Sequence, residues 1–221
     1  MEGNNDNTEI RPHAAKEVSA DTTSDDDQAN ERAATRPSVD PKDIRDIRLT
    51  LDGDGDAFAR LVRRYQDEIG RYMWRFTRDA RRWEELVHDV FVQAFTSRKT
   101  FRGKAPLLHW LRRLATRVGY AHWKQKKKNR KVDSLPVEQW QDLTATEDGS
   151  IAAIEAGELI EKVLSQVSER DRLVLTLVYL EGNTIAEAAE YTGWTKTMTK
   201  VQLHRARGRL RKLLESLDVA E

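Results

Sequence analysis

Residues 101–131 read FRGKAPLLHWLRRLATRVGYAHWKQKKKNRK. A Gly-containing loop leads into an amphipathic helix, and the helix runs out in an almost unbroken basic tract. Leu107, Leu111, Leu114 and Val118 recur at spacings of three and four, so one stripe packs inward. Pro106 suits the first helical turn, where an N–H would have no partner. Arg112, Arg113 and Arg117 fall off the stripe. Tyr120 and Trp123 are aromatic platforms just before Lys124, Lys126, Lys127, Lys128, Arg130 and Lys131. Phosphates take cations and unstacked bases take ring faces, so the pattern fits single-stranded or melted nucleic acid. A solvated basic helix end is the competing reading of the tract by itself, and the rest of the chain decides between the two.

The 221 residues carry a formal net charge of +1, which conceals strong segregation. Residues 51–131 hold 21 Lys/Arg against 9 Asp/Glu, net +12, whereas residues 1–50 stand at −5 and residues 132–158 at −7. A basic segment between acidic ones points to a polyanion-binding middle. The chain has no Cys, which excludes disulfides, a thiolate zinc site and a Cys nucleophile. No apolar run approaches the roughly 18–20 residues of a membrane span, and the acidic, polar N-terminus lacks the regions of a signal peptide. A cytoplasmic protein is expected.

Residues 1–45 are acidic and poor in large apolar side chains, so a disordered tail is expected there. Asp52-Gly-Asp-Gly-Asp56 invites a calcium reading, but an EF-hand loop begun at Asp52 finds Ala57 where Gly is needed and Arg63 where Glu is needed. A helix cap at Asp54 or Asp56 is the better account. The helix it opens shows Phe58, Leu61, Val62, Tyr65, Ile69, Met73 and Phe76 at spacings of three and four. A second helix, at about 82–97, turns Leu86, Val90, Phe91, Ala94 and Phe95 inward and Glu84, Glu85, His88 and Asp89 outward. His88-Asp89 resembles half of a metal-dependent phosphohydrolase site, but no spaced His partners accompany it. No catalytic residue, metal or cofactor is therefore expected, and the protein reads as a non-enzyme.

Residues 132–158 contain only acidic charges with Pro136, Gly149 and Gly157, and read as a linker. Ile160, Val163, Leu164 and Val167 restart a helical stripe. Ser168 begins a second helix, carrying Leu173, Val174, Leu177, Val178 and Leu180 and closed by Gly182. Thr184 and Glu187 form a capping box for a short third helix that Gly193 ends. Thr195 caps a fourth, with Thr199, Leu203, Ala206, Leu210, Leu213 and Leu214 on one side and cations over the remainder. Short helices joined by a Gly-containing turn, the later one polar and cationic, make a helix-turn-helix pattern whose second helix enters the major groove.

Taken together, the stretches EELVHDVFVQAF, FRGKAPLLHWLRRLAT and SERDRLVLTLVYLEGNTIAEAAEYTGW…KVQLHRARGRLRKLL resemble bacterial RNA polymerase sigma factors of the extracytoplasmic-function class, over about residues 52–131 and 159–215. The resemblance implies an all-α fold of two small helical domains. A region 2-like bundle (46–131) and a region 4-like helix-turn-helix domain (159–217) would be joined by the acidic linker 132–158. It implies two partners: promoter DNA, and core RNA polymerase through its largest-subunit coiled coil and its flap. An anti-sigma factor is common in the class. Carried over by position, Glu85 and Asp89 face the polymerase coiled coil. Phe101, Arg102, Gly103 and Lys104 match the loop that receives a flipped minus-ten base. Tyr120, Trp123, Lys124, Lys126, Lys127 and Lys128 continue the strand-holding side. Arg117 and Ala121 fall where the family often has Asn, or Asp and Asn, beside that base; Arg117 offers only donors and Ala121 neither donor nor acceptor. Lys196, Lys200, Val201, Gln202, His204 and Arg205 make up the minus-thirty-five set, with Gln202 in place of a usual Arg. Val201 can meet only an apolar group such as a thymine methyl. Thr192 stands where a core aliphatic is usual. The alternative is a free-standing helix-turn-helix regulator with an N-terminal sensing or partner domain, which would bind an operator unaided.

Overall fold

Asp40 accepts a hydrogen bond from Lys42 N at 2.8 Å, and Pro41 follows it at the first helical position, so a helix starts here. This helix, α1 (Pro41–Leu51), is the first element of a computed structural model that describes residues 39–130 and 151–218. The side chains within those ranges are described except at 128–130, 151–156, 158, 217 and 218. Most of the expected tail, over 1–38, and most of the expected linker, over 131–150, lie outside the described residues. The tail is expected to run to residue 45, but α1 already begins at Pro41.

The inward face of α1 is polar. Asp43, Asp46 and Thr50 are buried beside Ile47. Their partners come from α2 (Gly55–Met73): Arg60 Nη2 lies 2.9 Å and Arg64 Nη2 3.0 Å from Asp46, while Arg64 and the Tyr65 hydroxyl bond Asp43. Burial by itself would raise the Asp46 carboxyl, but hydrogen bonds and charge from Arg60 and Arg64 outweigh it and hold it below its ordinary value. Burial and the bond to Asp43 push the Tyr65 phenol up.

Asp54 caps α2 by accepting from Ala57 N. Helix α3 (Ala80–Ser97) is capped in the same way by Asp79 and continues as a 3-10 turn, Arg98–Thr100. Helix α4 (Leu107–Arg130) buries Leu107, Leu111, Leu114, Ala115, Val118 and Trp123 against α2 and α3. Two glycines allow the close approaches. A Cβ on Gly119 would run into the Phe76 ring, and one on Gly70 would meet Trp83 at 2.8 Å. Trp83 Nε1 donates to the Gly70 carbonyl at 2.7 Å.

In the second half, α5 (Ile151–Leu164) starts inside the span expected to be linker. Ser168 caps α6 (Glu169–Leu175), which widens into a π-helical turn, Thr176–Leu180. The Thr184–Glu187 capping box opens α7 (Ile185–Thr192), and Gly193, with φ of +75°, closes it. Such a φ favours glycine. Thr195 Oγ1 accepts from Met198 N at the start of α8 (Lys196–Asp218). Leu164, Val174, Leu175, Leu203 and Ala206 form a core between α5, α6 and α8. The architecture is all-α, as two helical domains require.

The two halves also pack on one another. Leu173, Leu177, Ala188 and Tyr191 belong to the same apolar cluster as Leu111 and Trp123, because α6 and α7 lie against α4. Arg75 Nε reaches Glu181 at 2.8 Å, Arg78 Nε reaches Glu161 at 3.5 Å, and Lys127 Nζ reaches Glu169 at 2.9 Å. His109 Nε2 lies 3.3 Å from Glu190, and its ring sits 4.8 Å from that of Tyr191. Burial raises the Tyr191 phenol to about 12.

The α1–α2 cluster sets a pH dependence. A carboxyl whose native pKa lies below its unfolded value stabilises the fold above the unfolded value of about 3.9 and loses that contribution as pH falls through the native one. Asp46→Ala is expected to cost about 2 kcal/mol at pH 7, since it removes a buried carboxylate that both Arg60 and Arg64 bond while Asp43 still holds Arg64. In urea unfolding across pH, the gap from wild type should close below about pH 4; a gap independent of pH would dismiss the ion cluster as its source.

Candidate polymerase and nucleic-acid interface

The outer side of α3 presents Glu85 and Asp89 one helical turn apart, both exposed. Arg82 Nη1 holds Glu85 at 2.6 Å, with Arg81 at 3.6 Å. The same face carries two apolar side chains. Val92, which neither the apolar stripe nor the resemblance singles out, is 46% exposed. Phe95, expected inward, is 41% exposed, with its ring edge against Phe58 and Arg98 above it at 4.2 Å. Val92 lies three residues after Asp89, so helical spacing alone signals that it shares the face. His88 is exposed nearby, and among the described residues no cluster of His, Cys, Asp and Glu could hold a metal.

Residues 101–104 form the loop leading into α4. Phe101 is half-buried with its ring 5.6 Å from Trp110, while Arg102 and Lys104 are exposed. Gly103 has φ of +66°, and a Cβ there would meet Ile44 at 2.9 Å, so the loop is pinned to α1. Along α4, Arg113, Arg117, Ala121 and Lys124 are exposed and Tyr120 is partly so. Lys124 Nζ sits 5.5 Å from the centre of the Tyr120 ring. Spacings of four, three and four put Arg113, Arg117, Tyr120 and Lys124 on one side. Arg113 thereby joins the site, although no family position points to it. Burial, then the charges of Lys126 on the same helix and of Arg82 and Arg172 on its neighbours, lower the His122 pKa. Lys126 and Lys127 are exposed, with Lys127 paired to Glu169; the Lys128 side chain lies outside the described residues.

Trp123 is placed otherwise than its sequence neighbours suggest. It is 4% exposed, its Nε1 donates to the Phe76 carbonyl at 2.7 Å, and its ring lies 4.7 Å from Phe76 on one side and 4.0 Å from the Arg172 guanidinium on the other. Both faces are taken, so the ring offers no platform to a base in this conformation.

On α8, Lys196, Lys200, Val201, His204 and Arg205 are exposed, together with Met198. Gln202 turns back instead, its Nε2 donating to Asp171 at 2.6 Å. Asp171 is fully buried and also accepts from Arg209 Nη1 at 2.7 and 2.9 Å and from the Ser168 hydroxyl at 2.7 Å. Gln202 therefore helps seat α8 on α6, a correction to its place in the minus-thirty-five set. Thr192 satisfies its hydroxyl on the Ala188 carbonyl at 2.8 Å, which explains how a polar residue stands at an aliphatic position.

Two family models match the chain. The model for Sigma-70 region 2 matches residues 61–129 and that for Sigma-70, region 4 matches residues 157–210, together more than half of the chain. The chain is similar to the ECF RNA polymerase sigma factor SigW of Bacillus subtilis, 26% identical over 77% of this chain and 96% of that protein. It is likewise similar to the RNA polymerase sigma factor YlaC of the same organism, 26% identical over 71% of this chain and 91% of the other. In fold it is similar to the sigma factor RpoE of Bartonella quintana, crystallised with the anti-sigma factor NepR, with a TM-score of 0.53 at 19% identity over 72% of this chain and 96% of that one. The chain belongs to the sigma-70 family of RNA polymerase sigma factors, in the extracytoplasmic-function class. It binds core RNA polymerase and directs promoter recognition and transcription initiation, which displaces the free-standing regulator. Among the described residues no helix is long and apolar enough to cross a membrane.

The Asp171 hub separates the two readings of Gln202. Gln202→Ala should cost about 1–2 kcal/mol in denaturant unfolding, the worth of a hydrogen bond to a charged group. Asp171→Ala should cost more, about 2–3 kcal/mol, by removing the buried charged acceptor that Gln202, Ser168 and Arg209 share. Unchanged stability in the Gln202 variant would hand that side chain back to DNA.

Proposed function

We propose that the α3 face docks on polymerase while α4 and α8 divide the promoter between them. Glu85 and Asp89 offer carboxylates to a basic coiled coil of the largest subunit, with Val92 and Phe95 as apolar contacts beside them. The Phe101–Lys104 loop receives a base extruded from the minus-ten element. Arg117, Lys124, Lys126 and Lys127 hold the strand's phosphates, and Tyr120 gives a partly open ring face. Extruding a base costs a few kcal/mol, which the loop and the stacking contacts offset. The observation that carries this reading is the exposed stripe Arg113–Arg117–Tyr120–Lys124 on the helix that the loop leads into.

In the second domain, Lys200, Val201, His204 and Arg205 are the base-reading positions for the minus-thirty-five duplex, and Lys196 makes phosphate contact at the N-terminal end of α8. The polymerase flap is this domain's protein partner. The acidic segment 132–158, including the first turns of α5, tethers the two domains. The protein works in the cytoplasm as a specificity subunit with no catalysis of its own. An anti-sigma factor is its regulatory partner, a reading supported by the RpoE–NepR complex of similar fold.

Glu85→Lys with Asp89→Lys should abolish co-purification with core polymerase while the helical circular-dichroism signal stays unchanged. Retained co-purification would sink the docking assignment. Lys200→Ala with Arg205→Ala should weaken binding to the minus-thirty-five element by roughly 1–3 kcal/mol for each base-edge interaction removed. Footprinting that shows undiminished protection would move recognition off α8.

A further inference from the structure

Helix α1 repeats a three-residue unit, Lys42-Asp43-Ile44 then Arg45-Asp46-Ile47, and begins it again at Arg48. Its acids and its cations go opposite ways. Asp43 and Asp46 are buried against Arg60, Arg64 and Tyr65, whereas Lys42, Arg45 and Arg48 are exposed. The ion pairs that α1 makes among the described residues run through those two aspartates, and Arg45 and Arg48 have no carboxylate partner there. Both aspartates can meet Arg60 and Arg64 only when α1 is rotated this way, and that rotation leaves the cations outside.

Arg45 and Arg48 line a shallow groove of about 580 Å³ together with Val39, Pro41, Ile44 and Leu49. Ile44 ties the groove to the loop that leads into α4, since its Cδ1 lies 2.9 Å from where a Cβ on Gly103 would stand. The loop adds Arg102 and Lys104, both exposed. The groove therefore has an apolar floor for a sugar or base face and cations for phosphates. Successive cations of the repeat are offset by about 4.5 Å along the helix axis, close enough for two long side chains to take neighbouring phosphates. Arginine suits that task because its planar fork of N–H donors matches phosphate oxygens.

We propose that α1 is a second strand-holding surface: nucleotides adjoining the extruded base leave the 101–104 loop over Ile44, and Arg45 and Arg48 bind two of their phosphates. The proposal rests on the reading of that loop as the receiver of the base and extends it to the strand beyond. Charge complementarity and continuity with the loop single out DNA as the occupant. Phosphate contacts carry no base identity, so α1 supplies affinity and register, whatever the sequence. The buried Asp43–Asp46 cluster acts as the positioning device that aims the two arginines.

The test uses holoenzyme reconstituted from the full chain and core polymerase. The probe is a fluorescein-labelled single strand spanning the minus-ten region of a promoter that this holoenzyme transcribes. Pairs of uncharged methylphosphonate linkages are walked along it. At one position wild type should lose roughly tenfold in affinity, while Arg45→Gln with Arg48→Gln, already weaker by that factor, should lose nothing more there. The log–log salt slope should fall by about 1.4 in the Gln variant, at ~0.7 for each single-strand phosphate released. Arg45→Lys with Arg48→Lys should keep the slope, because the charge persists. An unaltered slope in the Gln variant, or no position at which it alone is indifferent to neutral linkages, overturns the proposal. So does a Lys variant that loses as much slope as the Gln variant, which would trace the effect to packing. Loss of co-purification with core polymerase in the Gln variant would make this face a protein contact and likewise overturn it. An abasic residue in place of the extruded base should weaken wild type and Gln variant alike. If it weakens neither, the loop reading fails, while the linkage result still decides for or against α1.

Discussion

Phe76, Trp123 and Arg172 make a three-layer stack on which the whole arrangement turns. Phe76 rests on the bare backbone of Gly119, Trp123 tilts over Phe76 at 37° while bonding its carbonyl, and the Arg172 guanidinium closes the far side. The three residues come from the chain after α2, from α4 and from α6, so one column joins the interior of the first domain to the second. Its lower half is apolar packing of the kind any helical bundle needs. Its upper half is a cation on an aromatic face, a contact worth up to about 2 kcal/mol when desolvated. Cohesion within the first domain and contact with the second are thus carried by different chemistries on the two sides of one indole.

Electrostatics repeats the theme at larger scale. Residues 51–131 carry a net charge of +12, and a field of that sign draws in whatever acidic surface is nearest. Among the described residues, Glu161, Glu169, Glu181 and Glu190 of the second domain meet that field. The ion pairs between them are mostly partly exposed, so each contributes only about 0–1 kcal/mol. Buried apolar area around Leu111, Leu177 and Tyr191 supplies the cohesion, and the charges set orientation and salt sensitivity.

Much of this is legible in the amino-acid order. Spacings of three and four locate α2, α3, α4 and the helices of the second domain, and Asp54, Ser168, Thr184 with Glu187, Gly193 and Thr195 mark helix ends because caps are local chemistry. What escapes has a common cause: residues whose partners lie far along the chain. Helix α1 carries Ile44, Ile47 and Leu51 at helical spacing, but its buried face also holds Asp43, Asp46 and Thr50, whose burial makes sense only with Arg60, Arg64 and Tyr65 in place. Trp123 looks like a base platform because its neighbours in sequence are lysines, yet its neighbours in space are Phe76 and Arg172. Gln202 sits among exposed, largely cationic positions of α8, and only the buried Asp171 reveals which way it points.

The π-helical turn at Thr176–Leu180 sits where the two apolar clusters meet. Its Val178, like Trp194 further on, packs against both, the one shared with α4 and the one beneath α8. A side chain common to two cores lets neither rearrange without the other sensing it.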